Sequence, residues 1–296
     1  MSEYWYLVSL FKSKLLQWPT ARAAPGPKSA FMNFKDKIVW ITGASSGIGE
    51  ALAVAFAREG AKLVLSARRG EELERVKKQL QLPDDQVLIL PMDVTDFANA
   101  PVVVQKVIQH FGRIDYFIHN AGVSQRSYVQ DTDFEVYRRL MDVNFFSTVA
   151  LTKAVLPLMK TQKSGHFVVI SSVAGKVGTI MRSGYNASKH ALHGFYDSLR
   201  AEVYDDNIQV TLVCPGYINT TISLSALNEK GESYGKMDQA QATGIAVEIC
   251  AQRILKAVQV GKKEIVIGGL TETLAVYLKR FWPNLLYNMV RKSVPK

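Results

Sequence analysis

A serine, a tyrosine and a lysine stand in the run Ser172-Val-Ala-Gly-Lys-Val-Gly-Thr-Ile-Met-Arg-Ser-Gly-Tyr185-Asn-Ala-Ser-Lys189. A helix beginning near Ser183 puts Tyr185 and Lys189 one turn apart on the same face, close enough for the ammonium to act on the phenol. A phenol is a poor base near neutral pH because its ordinary pKa is about 10, and a fixed positive charge nearby favours the phenolate. Tyr185 could then exchange a proton with a substrate oxygen. Ser172, arriving from the end of an apolar strand, would hold that same oxygen with its hydroxyl. A bare Tyr-x-x-x-Lys also arises by chance, as a buried tyrosine beside a surface lysine. Its meaning therefore depends on the elements that position it.

From Lys37 onward, short apolar runs alternate with helical patterns. Strands are predicted over 38–42, 62–66, 87–90, 116–119, 166–171, 210–214 and 264–267. Helices are predicted over 48–58, 71–80, 101–111, 134–159, 185–203 and 246–258. Such alternation means parallel strands joined by right-handed crossovers, with helices on both faces of one sheet. The expected fold is α/β: a single doubly wound, parallel-sheet domain of the Rossmann kind with a helical tail at its carboxy end. Ligands of such a sheet bind beyond the carboxyl ends of the strands, and the chemically informative residues stand there.

The first strand runs into Thr42-Gly43-Ala44-Ser45-Ser46-Gly47-Ile48-Gly49, which opens a helix. Gly43 can turn tightly, Gly47 lets the backbone approach a pyrophosphate, and Gly49 lets helix and strand pack closely. After the second strand comes Ser66-Ala67-Arg68-Arg69, where an acid for the ribose hydroxyls of NAD would be usual. Arg68 or Arg69 can instead pair with a 2′-phosphate through a bidentate guanidinium, so the expected cofactor is NADP(H). Asp93-Val94 follows the third strand, where Asp93 either caps an adenine pocket or is a turn residue. Asn120-Ala121-Gly122 follows the fourth, where small residues let the backbone lie against a ribose.

Composition narrows the alternatives. Across 296 residues, a hydrophobic fraction of 48% and a charged fraction of 21% fit a folded globular chain. The net charge of +10 raises polyanions as partners, but no recognition helix, zinc finger or aromatic RNA-binding pattern accompanies it, and nucleic acid is not expected. The two cysteines, Cys214 and Cys250, form no disulfide framework or metal-ligand spacing. They read as inert core residues in a reducing compartment, and a cytoplasmic place is expected. No metal is expected, because His110, His166, His190 and His193 show no ligand spacing either. No apolar run approaches the ~20 residues needed to cross a bilayer. Residues 1–31 read as an extension dispensable to the fold, since Met32 stands just before the first core strand and 21–29 reads as a linker. An amphipathic stretch on a membrane surface is the other reading of its first segment.

Taken together, Thr-Gly-x-x-x-Gly-x-Gly, Asn-Ala-Gly, Ser172, Tyr185-x-x-x-Lys189 and Pro215-Gly216 occur in order, and from about Phe34 to Gly268 the chain resembles the short-chain dehydrogenases/reductases. Within that family it looks most like the 11β-hydroxysteroid dehydrogenase-like and membrane-peripheral members. The resemblance implies that Asn144 shapes its helix and holds a water in a proton relay, and that Lys189 also bonds the nicotinamide ribose. It further implies that Ile218 and Thr220 contact the carboxamide end of the cofactor. Self-association as a homodimer or homotetramer, through the helices containing Asn144 and Tyr185, is implied in the same way. His119 departs from the commoner Asn before Asn120 and is read as a strand-end structural residue.

The expected reaction is hydride transfer between NADP(H) and an apolar ketone or aldehyde and its alcohol, with Tyr185 as acid and base. Competing readings are a non-catalytic NADP(H)-binding regulator, a 3-oxoacyl-type reductase of the same family, and a membrane-surface module. Residues 219–244, carrying Leu224, Leu227, Tyr234 and Met237, suggest a mobile lid over an apolar substrate. Residues 269–296 form an amphipathic, basic tail that Pro283 should break into two helices. Docking on a membrane, lining the substrate entrance, packing on another subunit and simple packing on the same domain are its alternatives.

Overall fold

The computed structural model describes residues 33–292, so the reading of residues 1–31 as an extension lies outside the described residues. In chain order the elements are β1 (Ile38–Thr42), α1 (Gly47–Arg58), β2 (Lys62–Ser66), α2 (Gly70–Leu80), β3 (Val87–Ile89), α3 (Ala100–Phe111), β4 (Tyr116–His119) and α4 (Phe134–Met141). A π-helical turn (Asp142–Phe146) leads into α5 (Ser147–Gln162), β5 (Gly165–Ile170), α6 (Ser183–Glu202) and β6 (Ile208–Pro215). The chain closes with α7 (Gln239–Ala242), α8 (Val247–Gln259), β7 (Glu264–Ile267), α9 (Leu270–Phe281) and α10 (Pro283–Lys292).

The seven strands form one sheet in the order β3-β2-β1-β4-β5-β6-β7, every pair parallel. Both faces are covered, which is why the strands read as continuous apolar runs instead of alternating ones. All five residues of β1 are buried. Val39 and Ile41 face a core with Leu52 and Phe56 of α1 and Ile254 of α8. Ile38 and Trp40 face the opposite core with Val104 of α3, Val155 of α5 and Leu192 of α6. The order of strands reverses between β1 and β4, so a crevice opens where their carboxyl ends part.

The predicted strands and helices recur within one or two residues, with one informative exception. The helix expected over 134–159 is interrupted by the π turn, where the Ser147 amide reaches back five residues to the Asp142 carbonyl. The Ser147 hydroxyl takes the Val143 carbonyl at 2.6 Å. A π turn of this kind costs regularity and recurs at functional sites, and this one carries Asn144.

Pro283 divides the tail as expected, opening α10 with only Trp282 between it and the end of α9. Leu278 and Leu286 bury themselves against Val177, whereas Leu274, Tyr277, Phe281, Trp282, Leu285 and Tyr287 stay exposed. Among the described residues no helix is long and apolar enough to cross a membrane.

Candidate active site

The glycine turn is held in shape by contacts that leave no room for side chains. Gly43 has φ +64° and Gly47 φ +58°, the left-handed region that favours glycine. A Cβ on Gly49 would lie 2.2 Å from the Gly43 carbonyl oxygen and 2.5 Å from Asn120 Nδ2. Asn120 is the tie: its Nδ2 donates to the carbonyls of Thr42 and Gly43, each at 3.0 Å. The Thr42 hydroxyl accepts from the amides of Asn120 and Ala121 at 3.1 and 3.2 Å, fastening the end of β4 to the end of β1. Asn120 thus braces the turn with its side chain, a role that its small neighbours in the sequence did not suggest.

Gly43, Ser45, Ser46, Gly47 and Ile48 line one end of a cleft of about 1200 Å³. Arg68, Arg69, Asp93, Val94, Asn120, Ala121 and Gly122 continue that wall, and Pro215, Gly216, Ile218 and Thr220 close it from the other side. Gly49 lies beneath the turn and does not line the cleft. Arg68 and Arg69 are exposed at the mouth of β2, free to reach an anion in solvent. Burial works against the charge on Asp93, but the Thr95 amide at 2.9 Å and hydroxyl at 2.7 Å, with Arg68 and Arg139, hold its pKa below the ordinary value. That bonding makes Asp93 a turn residue on the rim of the cleft. Arg75 was not foreseen: it pairs with Glu50 and Glu72 and donates to the Ser45 carbonyl at 3.2 Å, bracing the turn from outside.

Ser172, Tyr185 and Lys189 come together at the other end of the cleft. The first turn of α6 carries Tyr185, and Gln125 satisfies that helix end by accepting from the amides of Gly184 and Tyr185 at 2.8 and 3.3 Å. Ser172, just beyond β5, donates to the Pro215 carbonyl at 3.2 Å, and its hydroxyl acts on the Tyr185 phenol. Burial raises the phenol's pKa, while the Ser172 hydroxyl and the charges of Arg182 and Arg126 oppose it. Spacing assigned that electrostatic task to Lys189, whose ammonium lies 5.8 Å from the ring centroid and donates to the Ile170 carbonyl at 2.9 Å. Burial pushes Lys189 itself down to about 8.

Asn144 is buried in the π turn, with its carboxamide fully engaged. Its Oδ1 accepts from the Val123 amide at 2.8 Å, and its Nδ2 donates to the Val123 carbonyl at 3.0 Å and the Ser188 hydroxyl at 2.9 Å. Asn144 therefore locks the segment after β4 to α6.

Residues 219–244 cross the mouth as a structured strap. Leu227 exchanges backbone hydrogen bonds with Ser124 and Arg126 at 2.9 and 2.8 Å. Leu224 and Leu227 line the cleft, whereas Tyr234 and Met237 do not. In front of α7, Asp238 takes hydrogen bonds from both Arg126 and Arg182. No motif announced this triad, because its members come from three distant segments.

Behind the sheet, His119 bonds the Thr152 hydroxyl at 3.0 Å and does not line the cleft. Cys214 and Cys250 are buried thiols that burial pushes up to about 12. The fold gathers His193, Cys214 and Glu264 within 4.8 Å of one another, which their sequence spacing did not show. Glu264 is held down to about 2 by the neighbouring His193 and the Lys176 ammonium at 2.7 Å against its burial, and His193 bonds Ser171 at 3.0 Å.

The family model described as short chain dehydrogenase matches residues 37–231. A "Dehydrogenase/reductase SDR family protein 7-like" of Anopheles gambiae is 46% identical over 265 residues, 88% of this chain and 84% of its own length. "Dehydrogenase/reductase SDR family member 7B" of Bos taurus is 40% identical over 296 residues, 98% of this chain and 88% of its own. A short chain dehydrogenase/reductase of Burkholderia phymatum in complex with NAD matches with a TM-score of 0.78 at 23% identity, covering 90% of this chain and 98% of that one. The last likeness is one of fold.

Proposed function

Because the chain belongs to the short-chain dehydrogenase/reductase family, whose members are NAD(P)-dependent oxidoreductases, we propose that it interconverts an apolar ketone or aldehyde and the corresponding alcohol with NADP(H), using Tyr185 as acid and base. One observation carries the proposal: Ser172, Tyr185 and Lys189 share a cleft with the glycine turn and the Arg68-Arg69 pair. A volume of about 1200 Å³ exceeds the roughly 300–1,000 Å³ of a pocket for one drug-sized ligand, leaving room for cofactor and substrate together. The residues fit a dinucleotide, because Gly43 and Gly47 keep side chains away where a pyrophosphate would lie. Gly43 to Ile48 would hold the phosphates, Arg68 and Arg69 the 2′-phosphate, and Ile218 and Thr220 the nicotinamide end. The choice of NADP(H) rests on the absence of an acid after β2. The NAD in the Burkholderia structure belongs to a protein too distant to decide it.

When bound, the nicotinamide supplies or accepts the hydride. The protein's part is to hold the oxygen and move its proton. Burial keeps the Tyr185 phenol protonated at neutral pH, so it is ready to donate to a substrate oxygen as negative charge develops there. The Ser172 hydroxyl holds the same oxygen, and the phenolate left behind is favoured by Ser172, Arg182 and Arg126. Lys189, with its pKa near 8, can return a proton at neutral pH, relayed through a water on the Asn144 backbone. Oxidation follows the same path in reverse.

The wider reading is a homodimer or homotetramer, built through α4, α5 and α6, where Phe134 and Phe146 stay exposed. Residues 32–268 would be the catalytic domain. The exposed aromatic and basic tail favours a cytoplasmic enzyme that touches a membrane surface.

The test is NADPH oxidation across ketosteroids, retinal, acyl ketones and small diketones, with Tyr185→Phe as control. Turnover of at least one substrate, lost in the control, supports the proposal. Its absence across the panel would favour the non-catalytic regulator.

A further inference from the structure

The cleft carries more positive charge than the proposed chemistry uses. Seven cationic side chains line it against three carboxylates. Arg68 and Arg69 belong to the phosphate end, but Arg126 and Arg182 act on the Tyr185 phenol at the opposite end. Arg126 is buried, and Arg182 is nearly so. Both donate from Nη2 to one and the same oxygen, Asp238 Oδ2, at 3.1 and 2.9 Å. The other Asp238 oxygen accepts from the Ala240 amide at 3.1 Å.

One carboxylate thus serves two guanidinia. The other bonds of Arg126 go to neutral acceptors, the Ser124 hydroxyl at 3.0 Å and the Gln125 carbonyl at 2.8 Å. Arg182 lies over the Tyr217 ring at 5.6 Å. A brace for the strap would need only one arginine, and a second guanidinium withdrawn from water without its own anion is costly. Burial and the neighbouring Arg182 pull the pKa of Arg126 below its ordinary value, so the strain between the two is already felt. Two forks beside the reacting phenol, short of one negative charge, are the arrangement that binds a carboxylate or phosphate.

We infer that Arg126 and Arg182 form an anion subsite, that the carbonyl compound handled at Tyr185 carries a carboxylate or phosphate monoester, and that Asp238 occupies the subsite as an internal counter-ion until that group replaces it. The inference rests on the reductase reading of the same cleft and narrows its substrate. Leu224 and Leu227 receive the apolar body of the molecule while the two arginines take its charged end. Asp238 caps α7, so its release would loosen the strap that crosses the mouth, coupling entry of the anion to movement of residues 219–244.

The test compares three aryl aldehydes of like size: 4-nitrobenzaldehyde, 4-carboxybenzaldehyde and 4-formylphenyl phosphate, each reduced by the full chain with NADPH. At least one charged aldehyde should exceed the neutral one in kcat/KM by about tenfold, the scale of a charge-assisted hydrogen bond. Which of the two leads tells carboxylate from phosphate. Arg182→Gln should remove most of that ratio, and Asp238→Asn should raise it. Equal kcat/KM for all three, or a preference that survives both Arg182→Gln and Arg126→Gln, overturns the subsite. Arg182 is the main probe, since the more deeply buried Arg126 could fail to fold when replaced. If no aldehyde is reduced, the reductase reading fails by itself and calorimetry decides the subsite. Phenyl phosphate or benzoate, titrated in the presence of NADP+, should bind saturably and about tenfold more weakly to Arg182→Gln. No binding, or binding unchanged in the variant, overturns it.

Discussion

The two ends of the cleft meet negative charge by opposite means. The cofactor end uses backbone: Gly43 and Gly47 sit in left-handed conformations, Asn120 and Thr42 fasten the turn, and the arginines stand exposed at the rim. The substrate end uses side chains withdrawn from water, with Arg126 and Arg182 sharing one aspartate and acting on Tyr185. Exposed arginines add affinity but are screened. Buried ones act at full strength on any group beside them and are costly when unpaired. The cofactor end is therefore suited to holding a ligand, and the substrate end to selecting one and to shaping a proton transfer.

The strongest way to break this comparison is to remove the proton. Tyr185→Phe keeps the ring and loses only the hydroxyl, and it should lower kcat by about 10² to 10⁴ while leaving cofactor binding and the unfolding midpoint near wild type. A variant that kept more than a tenth of the rate would place the acid elsewhere. Next come the backbones of the two ends. Gly49→Ala drives a Cβ to 2.2 Å from the Gly43 carbonyl, a backbone atom with nowhere to go. Gly184→Ala meets Leu140 Cδ1 at 2.7 Å and Tyr137 Cδ1 at 2.8 Å, side-chain atoms that can shift. Urea unfolding should show a loss of about 3 kcal/mol for Gly49→Ala and about 1 kcal/mol for Gly184→Ala. Equal losses would mean that the glycine turn yields as easily as a contact between two helices.

The same contrast decides what could be read from the sequence. The sheet, its order of elements and the glycine turn were legible because each depends on residues within a few positions of one another. Thr42, Gly43, Gly47 and Gly49 are such a group, as are Tyr185 and Lys189. Arg126 and Asp238 are 112 positions apart and Arg182 and Asp238 are 56, so no spacing rule joins them. The gathering of His193, Cys214 and Glu264 escaped for the same reason. The π turn at Asn144 was invisible because helical periodicity passes through it almost unchanged. The second partner of Lys189 was not legible either: one turn from Tyr185, its ammonium also donates to a buried carbonyl, that of Ile170.

At the cofactor end, Arg68→Ala combined with Arg69→Ala should weaken NADPH by about tenfold or more and leave NADH nearly unchanged, since only NADPH has the 2′-phosphate for a guanidinium to grip. The measurement is a pair of binding titrations in low salt. The difference should shrink as ionic strength rises, because both arginines are exposed. A loss equal for the two cofactors would remove the assignment of this end to NADP(H).

Acid separates the ends by a smaller effect. His119 directly precedes Asn120, the brace of the glycine turn, and burial depresses its pKa to about 3. His166, at the base of the neighbouring strand, is depressed to about 3 in the same way. Unfolded, each would titrate near its ordinary value of about 6.5. Between those limits the unfolded chain binds protons that the folded chain refuses, so the stability both residues contribute is complete above about pH 6.5 and is lost as the pH falls toward 3. Each can remove up to about 1.4 kcal/mol per pH unit in that window. His119→Asn should therefore make stability, measured by urea unfolding at pH 7, 6, 5 and 4, fall less steeply with acid than in wild type. It should also keep NADPH bound to lower pH, because the charge that would unseat the end of β4 can no longer form. An unchanged slope would mean that His119 accepts its proton without disturbing the strand, and that the cofactor end owes nothing to the neutral ring behind it.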